Sequence, residues 1–291
     1  MFTGYNLQDF ITAFNTEEKC KRYLFNLKWH EGFTFTRCGH KGHCHTTKFG
    51  ELKCNKCKHK HSVTSGTLFH HLKFDIVKAF LMVFLVSTDK KGVSSMELHR
   101  RTGIRAKTCY FFKRKIMKAM HQGDFKLSGR VDVDESSVGG REPGKRGRSK
   151  GKKKEFVIGV QMLKRKIVRA YAHQIKNASS QELQPFFEQR VSKDARVRVD
   201  KWRAYNPIKA AYPNMIQEKS NPEQNFKLLH REIMMLKAAM RGIYQHVTHL
   251  QDYLNEYFFR KNTNDKSQLF HTVISNMISS KPFTIKNLNL G

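Results

Sequence analysis

Acidic residues are scarce in this sequence. Over 291 residues, Asp and Glu number 24 against 55 Lys and Arg, a formal charge of +31. The excess runs along the whole length instead of forming a tail. A polyanionic partner is implied, and nucleic acid leads, because neutralising phosphates releases counterions and supplies sequence-independent affinity. An anionic membrane and a basic ribosome-like role are the rival readings. Long apolar runs are also missing: none approaches the ~20 residues of a membrane span. The N-terminus MFTGYNLQDF lacks the basic-then-apolar order of a signal peptide. The expectation is a cytoplasmic, nucleoid-associated protein. Cysteines number six: Cys20, Cys38, Cys44, Cys54, Cys57 and Cys109. In a reducing compartment, clustered cysteines read as metal ligands instead of disulfides.

What is present falls into stretches of different texture. Residues 6 to 28 read as helical, with Leu7, Phe10, Ile11 and Phe14 on one face and Asn6 as a cap. Residues 33 to 66 are rich in Gly, Thr, Cys and His with short β-like pieces, the composition of a metal-stapled module. Helical periodicity returns at Phe74 to Ser87, Ser94 to Thr102 and Arg105 to Met120. The tight turn at Gly103 and the basic residues Lys107, Lys113, Arg114, Lys115 and Lys118 on the last piece suggest a helix-turn-helix reading DNA. Basic three-helix packing without groove reading is the alternative.

After Gly129 the α and β signals alternate. Strands are expected at Arg130 to Asp134, Glu155 to Gln161, Arg165 to Ile175, Arg196 to Asp200 and Asn214 to Glu218. A helix is expected at Ser179 to Val191 and a long one from about Leu228 through Tyr257. That order fits an α/β fold with a mixed sheet of RNase H type and flanking helices. The segment REPGKRGRSKGKKK, residues 141 to 154, holds eight Lys or Arg and three Gly, so it reads as a loop. Lys145, Arg146, Arg148, Lys150 and Lys152 in it are candidate phosphate contacts. The division expected is 1–32 helical segment, 33–72 zinc-ribbon-like module, 73–125 helix-turn-helix-like region and 126–291 catalytic domain.

Phosphodiester cleavage needs charge neutralised at the attacking and leaving oxygens, which two Mg²⁺ or Mn²⁺ ions do and carboxylates hold. In so basic a chain, carboxylates at strand ends carry information. VDVDE offers Asp132 and Asp134 on one side of a strand, with Glu135 opposite. VRVDKW offers Asp200. A third ligand is expected from the closing helix, whose apolar stripe is Leu229, Ile233, Leu236, Met240 and Ile243. His230 shares a flank with Lys237 and Arg241, both suited to phosphates. Glu232 lies on the other flank, about 160° away, so the two cannot serve one site. His230 is preferred, with Glu232 as the alternative. Upstream, Cys54-Asn-Lys-Cys57 has the spacing of a zinc knuckle and calls for a second one.

VDVDESSVGG, VRVDKWRAY and LLHREIMMLKAAMRGIYQHVTHLQDYLNEYFFRKN together resemble the insertion-sequence transposases that join a zinc ribbon to a DDE-type catalytic domain. The likeness covers roughly residues 33 to 262. It implies Asp134, Asp200 and His230 as the catalytic, Mg²⁺- or Mn²⁺-binding residues, and Glu256 with Arg260 as a structural pair. It implies cleavage at the ends of a mobile element, then attack of the freed 3′-hydroxyl on target DNA. Double-stranded DNA is the implied partner, and a homodimer or larger assembly the implied working form. The resemblance also implies a structural Zn²⁺ in the ribbon, but Phe35 stands where the family has the first Cys of its upstream pair. Cys38, Cys54 and Cys57 remain, to be completed by Cys44 or by His40 or His43, with Cys44 preferred as a fourth thiolate. The rival functions are a DNA-binding protein without catalysis and a nuclease that cuts without joining.

Overall fold

A computed structural model describes residues 2–4, 6–35, 37–45, 49–121, 123–139, 153–221, 224–243 and 248–282, the side chains of Cys44 and His45 excepted. The chain forms two compact units, Met1–Met120 with Asp265–Gly291, and His121–Asn264.

In the first unit, the helix expected over 6–28 is two helices, α1 (Leu7–Ala13) and α2 (Glu17–Lys28). Asn6 caps α1, accepting from the Asp9 amide, and Thr16 caps α2, accepting from the Lys19 amide. Thr16-Glu17-Glu18 is a second start signal inside one periodic stretch, and it breaks the helix. Phe10 and Phe14 enter the core while Leu7 and Ile11 stay exposed. A small antiparallel sheet follows, β1 (His43–His45), β2 (Glu51–Cys54) and β3 (Lys60–Ser62), in that order. Helices α3 (Ile76–Thr88), α4 (Ser95–Thr102) and α5 (Ala106–Ala119) come next. Nine of the 13 residues of α3 are buried, as expected of a helix apolar over most of its circumference. Ser94 caps α4, and Gly103, with φ 70°, ends it in the left-handed conformation that glycine takes without a Cβ clash.

The second unit is a five-stranded mixed sheet, built from β4 (Arg130–Val138), β5 (Lys154–Leu163) and β6 (Lys166–Ile175), then helix α6 (Ser180–Arg190). Strand β7 (Arg196–Asp200), helix α7 (Asn206–Lys209), strand β8 (Ile216–Glu218) and helices α8 (Lys227–Ile243) and α9 (Leu250–Asn262) complete it. The order is β6-β5-β4-β7-β8; β4, β5 and β6 pair antiparallel, while β7 pairs parallel with β4 and β8. This is the RNase H-type arrangement that the α/β alternation predicts. Val131, Val133, Val197 and Val199 share a core with Leu183, Phe186 and Phe187 of α6. At Gly159 a Cβ would fall 2.8 Å from Leu127 Cδ1 and 3.0 Å from Phe186 Cζ, so the helix and sheet can approach only over glycine.

The long helix expected over 228–257 is also two. Helix α8 packs on β4 and β5, whereas α9 packs on β6, so one is held at the middle of the sheet and the other at its edge. Along the free edge of β6, α9 supplies amide side chains in place of a sixth strand. Asn262 Oδ1 accepts from the Ala170 amide and its Nδ2 donates to the Ala170 carbonyl. Gln251 does the same for the Gln174 amide and the Ala172 carbonyl. An edge covered this way cannot pair with another chain.

One more helix, α10 (Leu269–Ser279), returns to the first unit, although the sequence boundary ran the catalytic domain to residue 291. Its Phe270 ring packs among Phe10, Phe14, Phe80 and Phe84, and its Asn276 donates to the Ala119 carbonyl. Polarity along the chain gives no hint of this return, because any apolar helix face can pack on either unit.

Candidate active site

On β4 a single residue, Val133, separates two carboxylates that share a face and have different fates. Asp132 is 1% exposed, and both its oxygens accept from Arg198 on β7, at 2.7 Å each. Arg198 also donates to Glu218 at 3.1 Å and lies 4.9 Å from the centre of the Phe226 ring. Asp132 is therefore committed to a buried, forked ion pair that ties β4 to β7.

Asp134, one pleat further, is only partly buried. Its Oδ1 accepts from the Glu135 amide at 2.8 Å, and its Oδ2 lies 3.5 Å from His230 Nε2 on α8. The parallel register pairs Arg130 with Arg196 and Asp132 with Arg198. The pairing ends at Asp132 and Arg198, and continuing its offset by two residues would set Asp134 opposite Asp200. Asp200 Oδ1 accepts two backbone N–H groups, from Lys201 at 2.7 Å and Ser220 at 3.0 Å. The hydroxyl of the same Ser220 is 3.4 Å from His230 Nε2. Asp134 and Asp200 are thus each linked to His230, one directly and one through Ser220, but among the described residues the ligand atoms of the three do not all lie within 4.8 Å of one another. Ser220 had no signal in the sequence, since a serine after a short strand looks like any loop residue.

Glu232, the alternative to His230, is elsewhere. It is 1% exposed, accepts from the Tyr257 hydroxyl at 3.0 Å and pairs with Lys261 at 2.8 Å. Burial of the Tyr257 phenol, then the charge of Glu232, push that phenol far above its ordinary value. Glu256 and Arg260 form the expected i,i+4 pair at 2.5 Å, with Glu256 fully buried. Two turns beyond His230, Lys237 is half-buried. Burial, then Lys153, hold its ammonium below the ordinary lysine value against the pull of Asp134, and Arg241 adds to the lowering. Arg241 is exposed.

A hard divalent cation requires clustered oxygen donors. Asp134, with an imidazole nitrogen 3.5 Å from it, and Asp200, linked to the same imidazole through Ser220, supply the donor types that such an ion takes. His230 Nδ1 is buried without a hydrogen-bond partner. A ligating histidine normally donates its second N–H to a carboxylate or carbonyl, which makes it a better donor, and His230 lacks that support.

The structure corrects part of the expected DNA-binding set. Lys113 and Arg114 are each 2% exposed, with Lys113 Nζ on the Val93 carbonyl. Lys115 Nζ donates to the Leu68 carbonyl, and burial lowers its pKa. Helix α5 is packed by α3, α4 and α10, so three of its cations serve the fold; Lys107 and Lys118 remain exposed. Lys145, Arg146, Arg148, Lys150 and Lys152 lie outside the described residues.

In the small sheet, the sulfurs of Cys38, Cys54 and Cys57 lie within 4.8 Å of one another, with Cys38 and Cys54 at 3.6 Å. A zinc tetrahedron with ~2.3 Å bonds has edges of about 3.8 Å, so three vertices are in place. Phe35 keeps the backbone knuckle, its carbonyl accepting from Cys38 and Gly39, but its ring is 1% exposed and packs with Leu52, Trp29 and Phe33. The Cys44 side chain lies outside what is described. Among the described residues, neither His40 nor His43 joins the three thiols.

Residues 126–262 match the family model of the ISXO2-like transposase domain, and residues 15–60 that of the transposase zinc-ribbon domain. Together these cover more than half of the chain, which belongs to the insertion-sequence transposases that join a zinc ribbon to a DDE-type catalytic domain. No curated protein matches the chain. Among solved structures it is similar to a crystal structure of a pre-cleavage Mos1 transpososome, at 10% identity and a TM-score of 0.27, over 70% of this chain and 78% of that one. No helix among the described residues is long and apolar enough to cross a membrane.

Proposed function

We propose that the protein cuts double-stranded DNA at the ends of a mobile element and joins the freed 3′-hydroxyl to target DNA, with Asp134, Asp200 and His230 as its catalytic residues. The observation that carries this is the meeting of His230 Nε2 with Asp134 at 3.5 Å and, through Ser220, with Asp200. Mg²⁺ or Mn²⁺ held by these three side chains would neutralise charge on the reacting phosphate. Asp200 is oriented by two backbone N–H bonds, and Asp134 by the Glu135 amide and the imidazole. Lys237 and Arg241, further along α8, would hold phosphates of the same strand. Helix α5 would contact element ends through Lys107 and Lys118. Cys38, Cys54 and Cys57 would hold a structural Zn²⁺. Two ends must be joined, so a dimer or larger assembly on DNA is the working form.

The test is purified protein on DNA carrying the element's own termini, with Mg²⁺ or Mn²⁺. Cleavage followed by strand transfer, abolished in Asp200→Asn while DNA binding persists, supports the reading. Binding without cleavage by the wild type overturns it.

A further inference from the structure

A second basic surface lies at the end of the sheet away from Asp134, where β5 turns into β6. The hairpin loop has two residues, Lys164 and Arg165, between the paired Leu163 and Lys166. Both central residues have positive φ, 45° and 63°. This is the type I′ geometry that normally selects Asn-Gly, because a bulky side chain is strained there. Strain of this kind is kept where the side chains have a use that a better turn sequence would lose. Lys164, Arg165 and Lys166 are all exposed, as are Arg130, beside the hairpin on β4, and Lys126. Among the described residues none of these five cations forms an ion pair. Surface cations elsewhere do find acids, as Lys21 and Arg22 do with Glu17 and Glu18 on α2. Beside the hairpin the Phe125 ring, 62% exposed, carries the Arg169 guanidinium at 4.7 Å. The acids nearest in sequence are Asp124, beside Phe125, and Asp132, two residues from Arg130 and committed to Arg198.

The geometry points to a DNA contact at this hairpin, through the phosphate backbone and apart from the catalytic carboxylates. The inference rests on the transposase reading and adds a surface to it. Arg130 and Asp134 share a face of β4 and are four residues apart, about 13 Å along the strand. A duplex lying over the site would place phosphates about four base pairs from the reacting one against Arg130 and the hairpin. The partner is the backbone, not a base sequence, because exposed lysines and arginines on a turn offer charge without a fixed base-reading fork.

The discriminating variant replaces the strained pair by the residues the turn prefers, Lys164→Asn with Arg165→Gly. It is expected to raise the Tm, because the turn is relieved. It is also expected to weaken binding of a fluorescent duplex of arbitrary sequence and to make the slope of log affinity against log salt shallower by about two. A charge-only variant, Lys164→Gln with Arg165→Gln, must lower the slope equally. If both variants bind the duplex with the wild-type slope, the hairpin is a solvated basic turn and the inference is wrong. The Asp200→Asn protein separates this outcome from failure of the transposase reading: it keeps the wild-type slope, and chemistry that survives in it sinks that reading while leaving the hairpin result standing.

Discussion

His230 on α8 reaches Asp134 on β4, with Nε2 3.5 Å from Oδ2, and the hydroxyl that touches the same nitrogen belongs to the residue whose amide holds Asp200. Three contacts link the helix to the two aspartates there, and the consequences can be measured separately.

Asp134→Asn and Asp200→Asn each remove one carboxylate charge and keep the side-chain shape. Cleavage by either is expected to fall about 10³-fold, a loss of roughly 4 kcal/mol of transition-state stabilisation. Duplex affinity should stay within about twofold. Single-turnover cleavage beside a binding titration reads both, and equal losses in the two would place these residues in binding.

His230→Glu exchanges a borderline nitrogen for a hard oxygen. The ratio of Mg²⁺-supported to Mn²⁺-supported cleavage is expected to rise, since oxygen donors suit Mg²⁺ and imidazole suits the later metal. An unchanged ratio would show that His230 does not touch the ion.

Asp132 should matter for stability. Asp132→Asn leaves Arg198 with its main partner weakened in a buried setting, at a cost of about 3 kcal/mol and a Tm lower by roughly 10 °C. Replacing both members, Asp132→Leu with Arg198→Met, should cost less than the single change. A single variant that melts like the wild type while losing cleavage would assign Asp132 to the chemistry instead.

In the ribbon, Phe35→Cys restores a fourth thiolate beside Cys38, Cys54 and Cys57. Zinc affinity, read by competition with a chromophoric chelator, is expected to rise at least about tenfold. Stability after chelation is expected to fall, because the buried ring is lost, by about 3 kcal/mol. An unaltered zinc affinity would mean that another residue already closes the site.

His61 makes the first unit sensitive to acid. Its ring packs 5.0 Å from Phe33, and burial, then Lys28 and His59, lower its pKa from 6.5 to about 4. Between those values the unfolded chain binds the proton and the folded one does not, so stability rises with pH across the window and is lost as pH falls from 6.5 towards 4. Chelated protein should show this slope in denaturant titrations, and His61→Phe should flatten it. Parallel slopes in both proteins would trace the acid sensitivity to other groups.

Much of this was legible beforehand. Asp134 and Asp200 stood at the ends of β-branched runs, and strand β7 fell on the residues expected, Arg196–Asp200. The flank of α8 that separates His230 from Glu232 follows from 100° steps, and the structure puts the two in different surroundings. Charge was a poorer guide. Lys113, Arg114 and Lys115 look like any basic helix residues, but α3, α4 and α10 pack around α5, and Lys113 and Lys115 reach the Val93 and Leu68 carbonyls. Asp132 and Asp134 are indistinguishable by pattern, since both alternate to the same side.

The order of residues alone determined where most strands and helices fall, the strongly cationic character and the candidate carboxylates, because those depend on periodicities of two and 3.6 and on side-chain chemistry; the breaks inside 6–28 and 228–257 it did not. Only the tertiary structure decided which aspartate is locked to Arg198 and which meets His230, that Ser220 links the second aspartate to the imidazole, and that Phe35 fills the zinc knuckle with a ring. Those outcomes depend on which strands lie side by side and in what register, and contacts between distant segments are set by the packing of the whole sheet and its helices.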